Sequence, residues 1–154
     1  MSSISIADAA SLIQREALLL DANQFAEWLD LYAPDAVYQM PSGYLAASDA
    51  GSGLHTILLS RDRMQDYVRR MSSSHAVVAN PPPRAVRLLS SPLPDGDGKF
   101  LVAWNLHLVR NETSSLFAGR AEYEIVPVAG EPKIRRKTVW VANDTFPTGY
   151  MPLI

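Results

Sequence analysis

The stretch "KFLVAWNLHLVRNETSSLFAGRAEYEIV", Lys99 to Val126, decides the fold. Apolar residues recur at every second position, so Phe100, Val102, Trp104, Leu106 and Leu108 share one face of an extended chain. Phe117, Ala121, Tyr123 and Ile125 share one face of the next strand, and "NETS", residues 111–114, is the hairpin turn between them. Beyond the turn "AGEP", residues 129–132, "KIRRKTVWVAN" reads as a further strand. Its alternation places Ile134, Thr138 and Trp140 opposite Arg135, Lys137, Val139 and Val141. Arginines beside Val139 and Val141 give that second face the character of a surface buried against a partner.

Upstream the period changes from two to 3.6. Ser5 followed by Asp8 is a capping-box-like start, and Ala9, Leu12, Ile13, Ala17 and Leu20 then recur at helical spacing up to Asp21. Asp21 and Asn23 are candidate caps for a second, short helix whose Phe25, Trp28, Leu29 and Tyr32 fall at i, i+3, i+4 and i+7. Asp21, Glu27 and Asp30 read as cap and solvent-face charges, and Trp28 as core. "APDA", residues 33–36, reads as a turn, because Pro34 fixes its own φ and Asp35 can bond the backbone two residues on. "AVYQMP" follows as a strand, 42–53 as a Ser/Gly/Ala-rich surface loop, and "LHTILL" as extended chain. Ser60 caps a third helix with Met64, Tyr67, Val68 and Met71 on its inner side and Arg61, Arg63, Arg69 and Arg70 in water. "SSSHAVVANPPPR", 72–84, ends it, since each proline removes a donor and disfavours helix in the residue before. The order is helix, helix, strand, strand, helix, then four strands. Helices so segregated from hairpin-connected strands predict an α+β fold, three helices packed on a strongly curved antiparallel sheet that forms a cone.

Composition limits the function. The 154 residues, 47% hydrophobic, predict a single domain spanning 1–154. A domain of that size buries roughly 68 to 70% of its unfolded surface and needs no metal or disulfide staple. A net charge of -2 without any basic stripe argues against nucleic acid. Cysteine is absent, which removes disulfides, thiolate metal sites and cysteine nucleophiles together. The N-terminal residues lack a secretory pattern and no apolar run reaches the length of a membrane span, so a cytoplasmic protein without membrane contact is expected.

Four segments carry a resemblance over nearly the whole chain: "REALLLDANQFAEWLDLYAPDAVYQMP", "RDRMQDYVRRMSSSHAVVANPPPR", "FAGRAEYEI" and "KIRRKTVWV". In this order and spacing they resemble the small (β) subunit of aromatic-ring-hydroxylating dioxygenases, whose fold is nuclear transport factor 2-like. The resemblance implies a non-catalytic structural subunit, a homotrimer supporting three large (α) subunits in a hetero-hexamer. It places the Rieske [2Fe-2S] cluster and the mononuclear iron in the large subunit, and no cofactor in this chain. "HAVVANPPPR" departs from the family pattern, with Val77 and Asn80 in place of an aromatic and an acid.

The residues themselves agree on the metals. A Rieske cluster needs two cysteines and two histidines, and the mononuclear iron two histidines and a carboxylate. His55, His75 and His107 stand singly on different elements, so no metal ligand set is expected. For an interface the candidates are His75, Pro81, Pro82 and Arg84 around the rigid proline run, with Arg120 and Arg136 on strand faces. An alternative reading is a stand-alone cone-fold isomerase, dehydratase or cyclase, in which an Asp or His works on a small apolar substrate, a carboxylate buried among aromatics having its pKa raised for the task. Its pocket candidates are Asp35, Tyr38, His55, Asn105 and His107. A ligand-binding module without chemistry is the third reading.

Overall fold

In a computed structural model, which describes residues 3–45, 53–73, 83–145 and 152–154, the helices are α1 (Ile6–Asp21), α2 (Phe25–Leu29) and α3 (Arg61–Met71). The strands are β1 (Tyr32–Pro41), β2 (His55–Ser60), β3 (Arg84–Leu89), β4 (Leu93–Pro94), β5 (Lys99–Arg110), β6 (Thr113–Val128) and β7 (Glu131–Val141). They form one sheet in the order β2-β1-β7-β6-β5-β3, with β4 added on β5. Every pairing is antiparallel except β1 with β7, which is parallel.

Local chemistry accounts for the starts and turns. Ser5 Oγ accepts from the Asp8 amide at the head of α1, and Ser60 Oγ accepts from the Arg63 amide at the head of α3. Both satisfy amides that a first helical turn leaves free. α2 begins instead at Gln24 without a side-chain cap bond, and Asn23 takes a left-handed φ of 55° just before it. Two-residue turns at Asn111–Glu112 and Ala129–Gly130, all with positive φ, close the two long hairpins. Such turns twist with the strands they join.

The α1 stripe Ala9, Leu12, Ile13, Ala17 and Leu20 lies on the inner face of the sheet, against the expected β5 and β6 rows. Fully burying one large aliphatic side chain contributes about 1.5–3 kcal/mol. Trp28 is fully buried and its ring lies 5.1 Å from that of Tyr32.

Besides the uncapped α2, the placing of Tyr32 in β1 rather than on that helix, and a fifth strand, β4, after α3, two expectations change. Residues 33–36 are not a separate turn but lie inside β1; pairing with β7 is nevertheless interrupted between Tyr32 and Val37. Five positions of β1 pass two of β7 there, which lets Pro34 and Asp35 face water while Ala33 and Ala36 stay buried. The second change is in β7. Ile125 pairs with Ile134 but Glu124 pairs with Arg136, so Arg135 is an extra residue, a β-bulge. Past a bulge the alternation flips. Ile134, Lys137 and Val139 therefore all face the core, and Thr138 and Trp140 share the outer side of the sheet with their partners Glu122 and Arg120. Val139 and Val141, read as a partner-facing pair, are core and core-packed residues.

Candidate functional site

The flipped strand puts Lys137 into the centre of the cone, where α1 presents Glu16. Glu16 sits on the apolar stripe between Leu12 and Leu20, one helical turn from each, and is 1% exposed; Lys137 is 2% exposed. Lys137 Nζ donates to Glu16 Oε1 at 3.0 Å and to Oε2 at 2.9 Å. The Tyr123 hydroxyl donates to Oε2 at 2.7 Å, Trp28 Nε1 to Oε1 at 3.2 Å, and the Tyr32 hydroxyl to Oε1. The third Lys137 proton goes to the Ile154 carbonyl oxygen. Lys137 also stands 5.0 Å from the centre of the Tyr123 ring and 5.5 Å from that of Tyr38.

Isolated burial of either ion would cost several kcal/mol, and only a full set of partners offsets it. Here the carboxylate accepts five hydrogen bonds from four groups, and the ammonium donates to three oxygens. Burial, reinforced by the neighbouring Glu16 charge, holds the Tyr32 and Tyr123 hydroxyls well above the usual phenol range. Burial also raises Tyr38, opposed by its hydrogen bond to Ile154. Desolvation pulls Lys137 below the usual lysine value, and the attraction of Glu16 opposes that shift. A cavity of about 10 Å³ touches the pair and is lined by Glu16, Arg87, Trp104, Tyr123, Lys137 and Ile154 among others. That is room for about one water. The tyrosine hydroxyls hold their protons tightly, and a cavity of that size has no room for a substrate-sized molecule.

A second ion pair braces the first. Asp21 at the end of α1 accepts from Arg87 Nη1 and from the Arg87 backbone N–H at 3.0 Å. Arg87 Nη2 in turn donates to the Leu153 carbonyl. Asp21, expected as a helix cap, thus fixes α1 to β3.

Among the five pocket candidates only Tyr38 reaches this interior, its hydroxyl accepting from the Ile154 amide at 2.9 Å. Asp35 is exposed and accepts from Arg135 Nε at 3.1 Å, a surface pair of small energetic worth. His55 pairs across from Pro41 at the far edge of β2. Asn105 and His107 lie on the outer side of β5, opposite Leu88 and Val86 on β3. The five are not brought together. A larger open cleft of about 250 Å³ beside Ser42, Tyr44, Thr56, Asn143 and Asp144 contains none of them.

Of the interface candidates, Arg84 and Arg120 are exposed and Arg136 is half-buried opposite Glu124. His75, Pro81 and Pro82 lie outside the described residues. Around Arg84 the outer sheet face carries Val86, Leu88 and Leu116, which are 56%, 58% and 51% exposed. Val86 and Leu116 flank His107 in one cross-strand row, and Leu88 and Ala118 flank Asn105 in the next.

The described residues contain no group of three or more His, Cys, Asp or Glu side chains that could hold a metal ion, and the sequence has no cysteine. These residues do not fit a Rieske cluster or a histidine-carboxylate iron. No helix among the described residues is long and apolar enough to cross a membrane.

A curved sheet closed over three helices, with its interior filled by a satisfied ion cluster, defines a protein of the nuclear transport factor 2-like class. The chain belongs to the ring hydroxylating beta subunit family, whose profile matches residues 15–148. It is 26% identical over 152 residues to the benzoate 1,2-dioxygenase subunit beta of Acinetobacter baylyi, covering 94% of this chain and 90% of that one. It is 29% identical over 150 residues to the toluate 1,2-dioxygenase subunit beta of Pseudomonas putida, covering 92% of each. Its fold superposes on the crystal structure of the beta subunit of the benzoate 1,2-dioxygenase from Burkholderia mallei with a TM-score of 0.73, at 28% identity, covering 94% of this chain and 95% of that one.

Proposed function

We infer that this chain is the non-catalytic small subunit of a terminal ring-hydroxylating oxygenase, and that the Rieske cluster and mononuclear iron belong to its large-subunit partner. Membership of the beta subunit family across residues 15–148 carries this reading. The filled interior supports it, because a cone that spends its central ion pair on internal hydrogen bonds has the build of a rigid support. Three small subunits beneath three large ones, in the cytoplasm, complete the reading.

The outer sheet face with Val86, Leu88 and Leu116 is the part of the surface best suited to subunit contact, since clustered exposed aliphatic side chains mark interaction sites. Arg84 and Arg120 at its margins supply planar donors for carboxylates or carbonyls on the neighbour. The pocket-enzyme alternative loses ground because its five residues are scattered over both sides of the sheet.

The test is co-expression with a candidate Rieske large subunit, followed by co-purification and turnover per iron. The relatives named above come from oxygenases of benzoate and toluate, so an aromatic carboxylate is the first substrate to try. Stable co-purification and turnover only when both chains are present support the reading. Turnover by the purified chain alone would overturn it.

A further inference from the structure

The outer face of the sheet carries a free cation at one margin and a free carboxylate at the other. Arg84 opens β3, an edge strand of the sheet, and is exposed. Asp144 is exposed just beyond the end of β7. Neither forms an ion pair with any of the described residues.

A solvated charge needs no partner, but Asp144 lines the open cleft of about 250 Å³, together with Ser42, Tyr44, Thr56, Val141 and Asn143. Asn143 builds one wall. Its Oδ1 accepts from the Ala118 amide at 3.2 Å and its Nδ2 donates to the Leu116 carbonyl at 3.0 Å, which fixes the chain after β7 against β6. On the other wall the Ser42 and Thr56 hydroxyls lie 3.3 Å apart. Among the described lining residues Asp144 alone is charged. A carboxylate, hydroxyl oxygens and an exposed tyrosine ring, set beside apolar Val141, favour a cation on an apolar stem. A guanidinium suits such a site, since it presents planar donors to a carboxylate and stacks on an aromatic ring.

Arg84 of the same chain cannot supply it. The Ala142 amide donates to the Ala118 carbonyl, so the segment after β7 continues the sheet beside β6, with β5 between β6 and β3. Three strand spacings make about 14 Å, more than an arginine side chain reaches. A second copy can supply it. Val86 and Leu88 stand exposed on Arg84's own strand, and Leu116 stands exposed beside the cleft. Docked head to tail, the β3 margin of one copy sets aliphatic side chains against Leu116 of the next and its arginine against the carboxylate. A head-to-tail contact repeats, and it closes into a ring when the rotation fits.

We propose that copies of this chain join head to tail, the Arg84 guanidinium of one copy entering the cleft of the next to meet Asp144 and the Tyr44 ring. The cleft is a joining site that only a neighbouring copy completes. This contact rests on the reading of the chain as a trimeric small subunit, which it closes as a ring of three.

Sedimentation of the isolated full chain tests the contact, with Arg84→Glu, Asp144→Arg and the double reversal beside the parent. Both positions are exposed, so each variant should melt with the parent. The parent should sediment as a trimer, either single reversal should weaken assembly about tenfold or more, and the double reversal should restore it. A parent that stays monomeric at high concentration would overturn the contact. So would single reversals that leave the trimer intact, or a double reversal that recovers nothing. If a reversal does not fold, Arg84→Gln and Asp144→Asn replace it, and assembly equal to the parent's in both sinks the pairing. Co-purification with a Rieske large subunit is scored separately. Reversals that keep the trimer but lose the large subunit would hand the cleft to a cation of that subunit, so the contact fails while the subunit reading stands. A parent that never co-purifies counts against the subunit reading, and its sedimentation still decides the contact.

Discussion

Lys137 and Glu16 lie 121 positions apart in the sequence, yet the ammonium of one stands within 3.0 Å of both carboxylate oxygens of the other at the centre of the core. Removing one partner leaves the other as an uncompensated buried charge. Lys137→Met should therefore cost about 3–5 kcal/mol in urea unfolding. Glu16→Gln/Lys137→Met should cost clearly less than the sum of the two single changes, because neither charge then remains. Strict additivity would mean that the two residues do not act as a pair.

The tyrosines around that pair make stability fall in alkali. Unfolded tyrosines release their protons above about pH 10, whereas folded Tyr32, Tyr38 and Tyr123 hold theirs to higher pH. The folded state then binds more protons, so raising the pH favours unfolding. Lys137 acts with the opposite sign. Its folded value is lowered, so between that value and about 10.5 the unfolded chain holds the extra proton and stability rises with pH. Above about 10.5 only the tyrosines count, and three of them give a loss approaching about 4 kcal/mol per pH unit. Urea midpoints between pH 8 and 11.5 test this, and Tyr123→Phe should flatten the alkaline slope by about a third.

Gly119 faces a different constraint, one of space. A Cβ there would lie 1.8 Å from the Trp140 carbonyl oxygen and 3.0 Å from Trp104 Cζ2. Backbone cannot yield as a flexible side chain would. Gly119→Ala should push β6 from β7 and cost about 1–3 kcal/mol or more, read as a lowered melting temperature. Gly53→Ala meets no atom within 4 Å but sits at a φ of +77°, so it should lose only the smaller cost of the left-handed backbone.

How far the sequence could be read follows from these same residues. The α1 and α3 stripes and the β5 and β6 faces were legible because an uninterrupted period assigns every side chain to a face, whereas the α2 stripe ran one residue too far, into Tyr32 of β1. Lys137 was not, because one extra residue at Arg135 reverses the faces downstream and alternation carries no sign of it. Glu16 did leave a signal. It falls at an apolar position of α1, four residues after Leu12 and four before Leu20, where a solvated glutamate has no place. Asp21 reads locally as a cap, and its partner Arg87, 66 positions away, is visible only in the fold. The family resemblance rested on segment order, which a bulge does not disturb, and so it survived the misread face.

The assignment of Asp35, Tyr38, His55 and His107 to structure rather than catalysis gives the last test. A positioned general acid or base contributes about a hundredfold or more to the chemical step, so replacing one with a non-titrating isostere should slow turnover by that factor. Asp35 is spent on Arg135 at the surface, His55 lies at a sheet edge, and His107 on the outer face between Val86 and Leu116. Asp35→Asn, His55→Gln and His107→Gln in an assembled complex should therefore leave turnover per iron within a few fold. His107→Gln, within the proposed contact face, should change the yield of intact complex more than Asp35→Asn does. Tyr38→Phe removes one buried hydroxyl and leaves the Ile154 amide without its acceptor, so it should lower the melting temperature without slowing the chemistry of the complexes that form. Turnover is normalised to intact complex and set beside the yield for each variant. One variant that assembles fully and turns over a hundredfold slower would move its residue into an active site.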